Sequence, residues 1–297
     1  MDRLHNEKVN SDTTEYGLTE QSNTGSKLRK PPLEQSEDGL LCVPEDEGGE
    51  QRAEGSGETL IPTELLREGA HELGVELDDL QLAQLEAFAS RLIETNKALN
   101  LTRITEPEEI VSGHYLDSFT CLAATKIKQG SRVIDIGTGA GFPGVPIKIA
   151  RPDLDVTLLD SSRKKLKFIE EALASISING VELIHARAEE AARNREHRER
   201  YDVAFARALS EMKVVAELAL PLVRVGGILV AQKSEGADEE IDAARAIIGQ
   251  LGGRIEKTVR VSIPHTEIVR QLVVVWKTKP TPPQFPRAFA KIARARK

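Results

Sequence analysis

Apolar positions along the chain fall into three textures. Residues 1–58 show no apolar period; they are polar and rich in Gly, Ser and Glu. Such a stretch cannot bury enough surface to offset the entropy of ordering it, so a disordered acidic extension is expected. Order is predicted from Pro62, a residue suited to a first helical turn, with Leu65, Leu66, Gly69 or Ala70, and Leu73 on one face. A longer helix is predicted from Asp78 to Ala98, where Leu82, Leu85, Phe88, Leu92 and Ile93 recur at three- and four-residue spacing. Thr105-Glu106-Pro107-Glu108 has the form of a capping box, which predicts a short helix and then another through 114–125. Residues 59–128 read as a small helical subdomain.

The third texture begins at Arg132. Short β-branched runs (RVIDIG 132–137, DVTLLD 155–160, VELIHA 181–186, YDVAFA 201–206, GILVAQK 227–233) alternate with helical stretches near 143–150, 162–175, 210–223 and 236–250. That alternation predicts an α/β fold, a doubly wound parallel sheet with crossover helices. After Gly252-Gly253, RIEKTVRVSI (254–263) and VRQLVVVWK (269–277) follow with no helix between them. They predict a terminal antiparallel pair on the sheet. Residues 129–278 form the expected α/β domain and 279–297 a tail.

Composition narrows the setting. Cys42 and Cys121 are too few and too far apart for a disulfide framework or a zinc site, so no metal and a reducing, cytoplasmic setting are expected. No run of eighteen apolar residues suggests a membrane span, and the acid-rich N-terminus resembles neither a secretory signal nor a transit peptide. The overall charge of −7 is uneven: residues 1–58 carry 14 acidic and 6 basic residues, a net of −8. The tail from Lys279 carries six Lys/Arg and no acid, which suits a polyanion or simply a solvated terminus.

Candidate chemistry centres on VIDIGTGAGFPGVP (133–146), a strand running into a glycine-rich bend. In an open α/β sheet, ligands bind at the carboxyl ends of the strands. Gly139, Gly141 and Gly144 spell the dinucleotide fingerprint G-x-G-x-x-G, which keeps an NAD(P)-dependent oxidoreductase in view. Pro143 and Pro146 fit only a first helical turn, however, so the loop from Gly137 is long for a dinucleotide turn. Asp135 precedes it, where a carboxylate can orient the loop and face a cationic ligand; a pyrophosphate would be repelled there. Asp160, ending the second strand, suits the ribose of either cofactor. Ala188-Glu189 follows the third strand, well placed for an adenine edge.

DIGTGAGFPGVP resembles the S-adenosylmethionine loop of class I methyltransferases. More narrowly, with Asn100-Leu101-Thr102, His114-Tyr115-Leu116-Asp117-Ser118, Leu159-Asp160-Ser161, Ala206-Arg207-Ala208 and Arg270-Gln271-Leu272-Val273-Val274, the chain resembles the bacterial 16S rRNA (guanine-N7) methyltransferase G family, also called glucose-inhibited division protein B. The match runs over about 62–290; residues 289–297 and the acidic extension depart from the family pattern. The resemblance implies a Rossmann-like methyltransferase fold and S-adenosyl-L-methionine as cofactor. It implies that Gly137 and Phe142 line its pocket, that Ala188 and Glu189 hold the adenine, and that Arg207 lies where cofactor meets substrate. Asp135, Gly139 and Asp160 complete the expected cofactor set, with Arg207 also the candidate catalytic residue. Phe142 read alone is equally a core residue; Arg207, a charge directly after an apolar strand, favours a functional role over a structural ion pair.

The residues also bear on the methylated atom. Pyrimidine C5 methylation needs a cysteine nucleophile, and neither Cys42 nor Cys121 is well placed. Exocyclic amine methylation typically uses an Asn/Asp-Pro-Pro-aromatic cluster, where this chain has Arg207-Ala208-Leu209-Ser210. Guanine N7 offers a free lone pair and needs no general base, and Arg is a natural donor to the guanine O6/N7 edge. The resemblance implies 16S rRNA or a small-subunit particle as substrate, at the helix 18 loop of the decoding region, and a monomer is expected. Another RNA or a protein is the alternative target. His114, Ser118, Arg187 and Lys233 are the candidate RNA contacts, although His114 and Asp117 also fit a helix-stabilising polar pair. With aromatics at 4%, recognition should lean on charge and shape.

Overall fold

The computed structural model describes residues 59–294, so the expected acidic extension lies outside the described residues. Helix α1 (Thr63–Glu72) follows Pro62 and buries Leu66, Gly69 and Ala70. Helix α2 (Asp79–Leu99) starts at a capping box that sequence reading missed: Asp78 accepts from the Gln81 N–H while Gln81 reaches back to the Asp78 N–H. The expected box at Thr105 does not form. Pro107 takes the first helical position, so Glu106 becomes the cap residue and α3 (Pro107–Ile110) begins without a side-chain cap. A π-helical turn (Val111–Leu116) then runs directly into α4 (Asp117–Ala123).

The remaining elements alternate: β1 (Arg132–Ile136), α5 (Gly144–Ala150), β2 (Asp155–Asp160), α6 (Arg163–Ser175), β3 (Val181–His185), α7 (Ala188–Ala191), β4 (Tyr201–Arg207), α8 (Met212–Ala219), β5 (Val223–Ser234), α9 (Asp238–Gln250), β6 (Gly253–Ser262) and β7 (Val269–Lys277). A short helix, α10 (Phe289–Arg294), occupies the expected tail. The sheet order is β3-β2-β1-β4-β5-β7-β6. Strands β1 to β5 are parallel, and β7 enters antiparallel between β5 and the edge strand β6. The order reverses at β1, which puts the switch point at the glycine loop.

Strand alternation sorts the core into two faces. Val133, Val203, Phe205, Val230, Leu272 and Val274 join α1, α2, α4, α5 and α6 in one cluster. Ile134, Ile136, Ala204, Ala206, Leu229 and Val273 join α8 and α9 in the other. The N-terminal helices therefore cover one face of the sheet.

Candidate active site

Two clefts open at the carboxyl ends of the strands, separated by the chain at 207–210. The first, of about 320 Å³, is lined by Ile136, Gly137, Asp160, Lys165, Arg187, Ala188, Glu189, Leu209, Ser210, Val214 and Phe289, among others. Gly137 sits at φ 71°, and a Cβ there would stand 2.7 Å from Leu209 Cδ1. Only glycine lets the backbone hold this wall of the cleft.

The fingerprint glycines are not free to hold a pyrophosphate. The Gly139 N–H donates to Asp160 Oδ2 at 2.9 Å, the Gly141 N–H to the Thr138 carbonyl at 2.9 Å, and the Gly144 N–H to Asp135 Oδ2 at 2.9 Å. Two of these donors already face carboxylates, where a dianion would be repelled. The spelling G-x-G-x-x-G is present, but its dinucleotide chemistry is used up inside the loop.

Asp135 does not line the cleft. Alternation aims it away from Ile136, into the face covered by α5, where it is fully buried and ties down the start of that helix. It orients the loop, as expected, but does not face a ligand. Burial pushes its carboxyl up to about 6, against the pull of the Thr138 hydroxyl, the Gly144 N–H and the Arg207 guanidinium. Because that value lies above the unfolded one, the contribution of Asp135 to stability is complete at low pH and is lost as pH rises through 6.

Asp160 lines the first cleft and is held by the Gly139 N–H and, at 2.7 Å, by the Ser162 N–H. Each carboxylate oxygen keeps a lone pair, which fits a ribose diol. Ala188 and Glu189 stand at the same cleft. With the Asp160 and Glu189 carboxylates as hydrogen-bond acceptors and an apolar lining of Ile136, Leu159, Val214 and Leu218, the first cleft fits an adenosine moiety.

The second cleft, of about 440 Å³, is lined by Thr102, Arg103, Ile104, Gly113, His114, Asp117, Arg207, Ala208, Gln232, Lys233, Ser234 and Arg270. Period-two alternation explains the gathering. Arg207, Gln232 and Arg270 share the strand face of Phe205, Val230 and Leu272, beneath α4 and the π-helical turn. There they meet Asp117, which is 3% exposed. Asp117 accepts from Arg207 Nη1 at 2.7 Å, Arg270 Nε at 2.7 Å and Gln232 Nε2 at 2.6 Å. Arg207 also donates to the Gly113 carbonyl at 3.1 Å. Such a buried, multiply bonded carboxylate fixes the guanidinium at the cleft wall. Next to it Ala208 holds φ 50°, a backbone conformation that non-glycine residues rarely adopt.

Phe142 is buried below this cleft rather than lining either one. His114 stacks on it, ring centroids 4.1 Å apart and 7° from parallel, and the Arg207 guanidinium lies 5.4 Å from the same ring. His114 Nε2 is 2.9 Å from Thr102 Oγ1, and its Nδ1 is 3.5 Å from Arg207 Nη2. Burial first, then the Arg207 charge, pushes the imidazole down to about 3. His114 therefore stays neutral through the working pH range, and its contribution to stability falls only as pH drops from about 6.5 towards 3. Its carbon-bound ring protons are expected to hold their NMR shifts from pH 8 to pH 5; a midpoint near 6.5 would contradict this packing.

The other expected RNA contacts divide. Ser118 is fully buried and donates to the His114 carbonyl at 2.5 Å, so it presents nothing to a ligand. Lys233 lines the second cleft but is tied to the Ser210 carbonyl at 2.7 Å and to Glu240 at 2.6 Å. Arg187 lies at the first cleft, over the Phe289 ring. Sequence reading assigned no role to Arg103 or Arg270 and missed Asp117 as the hub. Arg270 did carry a signal, as a charge opening an apolar strand. Cys121 is buried and lines neither cleft, and burial raises its thiol above the ordinary range, so it offers no nucleophile.

An open sheet reversing at β1, with β7 inserted antiparallel between β5 and the edge strand β6, a glycine-walled cleft and an acid ending β2, agrees with the architecture of a class I S-adenosylmethionine-dependent methyltransferase. The family model described as rRNA small subunit methyltransferase G matches residues 81–269. Proteins named Ribosomal RNA small subunit methyltransferase G from Alkaliphilus oremlandii and Pelotomaculum thermopropionicum are 40% and 43% identical, over 77% and 76% of this chain and 95% of each relative. One from Moorella thermoacetica is 43% identical over 75% of this chain and 93% of its own. The chain belongs to the rRNA small subunit methyltransferase G family.

Proposed function

We propose that this protein transfers a methyl group from S-adenosyl-L-methionine to N7 of a guanine in 16S rRNA, at the helix 18 loop of the decoding region. The observation that carries the reading is the pair of clefts on either side of the 207–210 segment, one suited to adenosine and the other lined by Arg207 and further cationic side chains. In the first, Asp160 takes the ribose hydroxyls, Ala188 and Glu189 take the adenine, and Gly137 lets the backbone approach. S-adenosylmethionine supplies a methyl group made electrophilic by its sulfonium.

The chain's own residues position the base. Arg207, locked by Asp117 and the Gly113 carbonyl, directs a donor at the guanine O6 and leaves the N7 lone pair for attack. N7 bears no proton, so no base is needed, and the neutral His114 serves as packing and support. Arg103, Arg270 and the basic tail meet phosphates. The protein acts as a monomer in the cytoplasm; among the described residues no helix is long and apolar enough to cross a membrane.

Incubation with methyl-labelled S-adenosylmethionine and either free 16S rRNA or small-subunit particles tests the reading. Label is expected in 16S rRNA. Label in another RNA or in ribosomal protein instead would favour the alternative targets.

A further inference from the structure

Beyond β7 the chain is fastened at several points and then turns back to the first cleft. Arg198 donates to the carbonyls of Thr281 and Phe285, Arg193 donates to that of Pro286, and Arg287 pairs with the buried Glu217. Immediately afterwards comes α10. Its Ile292 is 1% exposed, packed with Val214 and Leu218 of α8 and against Ala188 and Leu209. The same helix places Phe289 in the lining of the cofactor cleft, with Arg187 5.5 Å from its ring centroid. Phe289 itself is 38% exposed, so the ring is held at the cleft mouth and not buried in the core.

We infer that Phe289 is a cofactor-binding residue, an aromatic outer wall for the adenine of S-adenosylmethionine, positioned by the Ile292 anchor of α10. The inference rests on the reading of the first cleft as the cofactor site. What sets this ring apart from other exposed apolar side chains is its place: it shares the lining of the cleft with Ala188 and Glu189, where an adenine can stack on it. Arg187 on the ring steadies it by a cation–π contact and places positive charge at the rim. The tail thereby contributes a working part of the site.

Calorimetry on the full-length chain with S-adenosylmethionine and S-adenosylhomocysteine tests it. Phe289→Ala and Phe289→Leu are each expected to raise Kd for both ligands about 10-fold, the effect of losing one stacking ring, while Phe289→Tyr and Phe289→Trp bind like the parent. Because Phe289 is partly exposed, the thermal midpoint should be unchanged in all four. Binding of the Ala or Leu variant within twofold of the parent, or tighter, would overturn the inference while leaving the cofactor reading intact. Absence of S-adenosylmethionine binding by the parent chain would overturn both.

Discussion

Arg207→Ala is expected to lower kcat for methyl transfer to 16S rRNA by about 10²–10³-fold, the usual cost of one pre-organised donor. The affinity for S-adenosylmethionine should change much less, because the Arg207 guanidinium lines the second cleft and not the first. Its ordering comes from two fixed acceptors, Asp117 Oδ2 and the Gly113 carbonyl, so the group reaches the substrate side without further reorganisation. Arg207→Lys retains the charge but lacks the second amino group, Nη2, that remains to donate once Nη1 is held by Asp117 and the Gly113 carbonyl, and most of the loss should persist. Single-turnover kinetics with labelled cofactor separates chemistry from binding. A rate within threefold of the parent would remove Arg207 from the mechanism.

Asp117→Ala is expected to lower the free energy of unfolding by about 3 kcal/mol, the lower end of the cost of breaking a buried ion pair. The charge of Asp117 is opposed by two guanidiniums, and its removal leaves both without their carboxylate. The lower end applies because the Arg207 and Arg270 side chains keep 16% and 26% of their surface exposed and can partly rehydrate. Asp117→Asn preserves volume and should cost less stability, yet it frees Arg207 and should reduce turnover almost as far as Arg207→Ala. Denaturant unfolding beside a turnover assay checks both. An unchanged midpoint for Asp117→Ala would mean the cluster is already solvated.

Much of this organisation is legible in the chain before folding. The five parallel strands announce themselves as β-branched runs between helical stretches, and the helix-free pair after Gly252 marks β6 and β7. Local competition caused the misses. Proline at 107 took the first helical position and left Thr105 one residue too early to cap. Helix α8 stops at Ala219 because Pro221 cannot continue it, and β5 starts at Val223, ahead of Gly226, whose φ of 85° lies at an irregular register that interrupts the strand pattern. Helix α10 is short, and its buried anchor among the described residues, Ile292, comes from tertiary packing.

At the site, residues at or just after the ends of strands were the readable ones. Gly137, Asp160, Ala188 and Glu189 sit at successive strand ends, where a ligand must lie in such a sheet. The orientation of Asp135 was recoverable from alternation with Ile134 and Ile136, and that signal outweighs the loop's proximity. Ser118 was lost to a bond one helical turn back, to the His114 carbonyl. Asp117 and Arg270 are 153 residues apart and meet only because β7 inserts beside β5, a pairing that no local spacing encodes.

The most direct test is nucleoside mass spectrometry of 16S rRNA from cells lacking the gene, alongside cells complemented with the parent chain or the Arg207→Ala variant. Loss of one 7-methylguanosine from the decoding-region fragment, restored by the parent and not by the variant, is the predicted result. Unchanged 7-methylguanosine in the deletion strain would contradict the assignment.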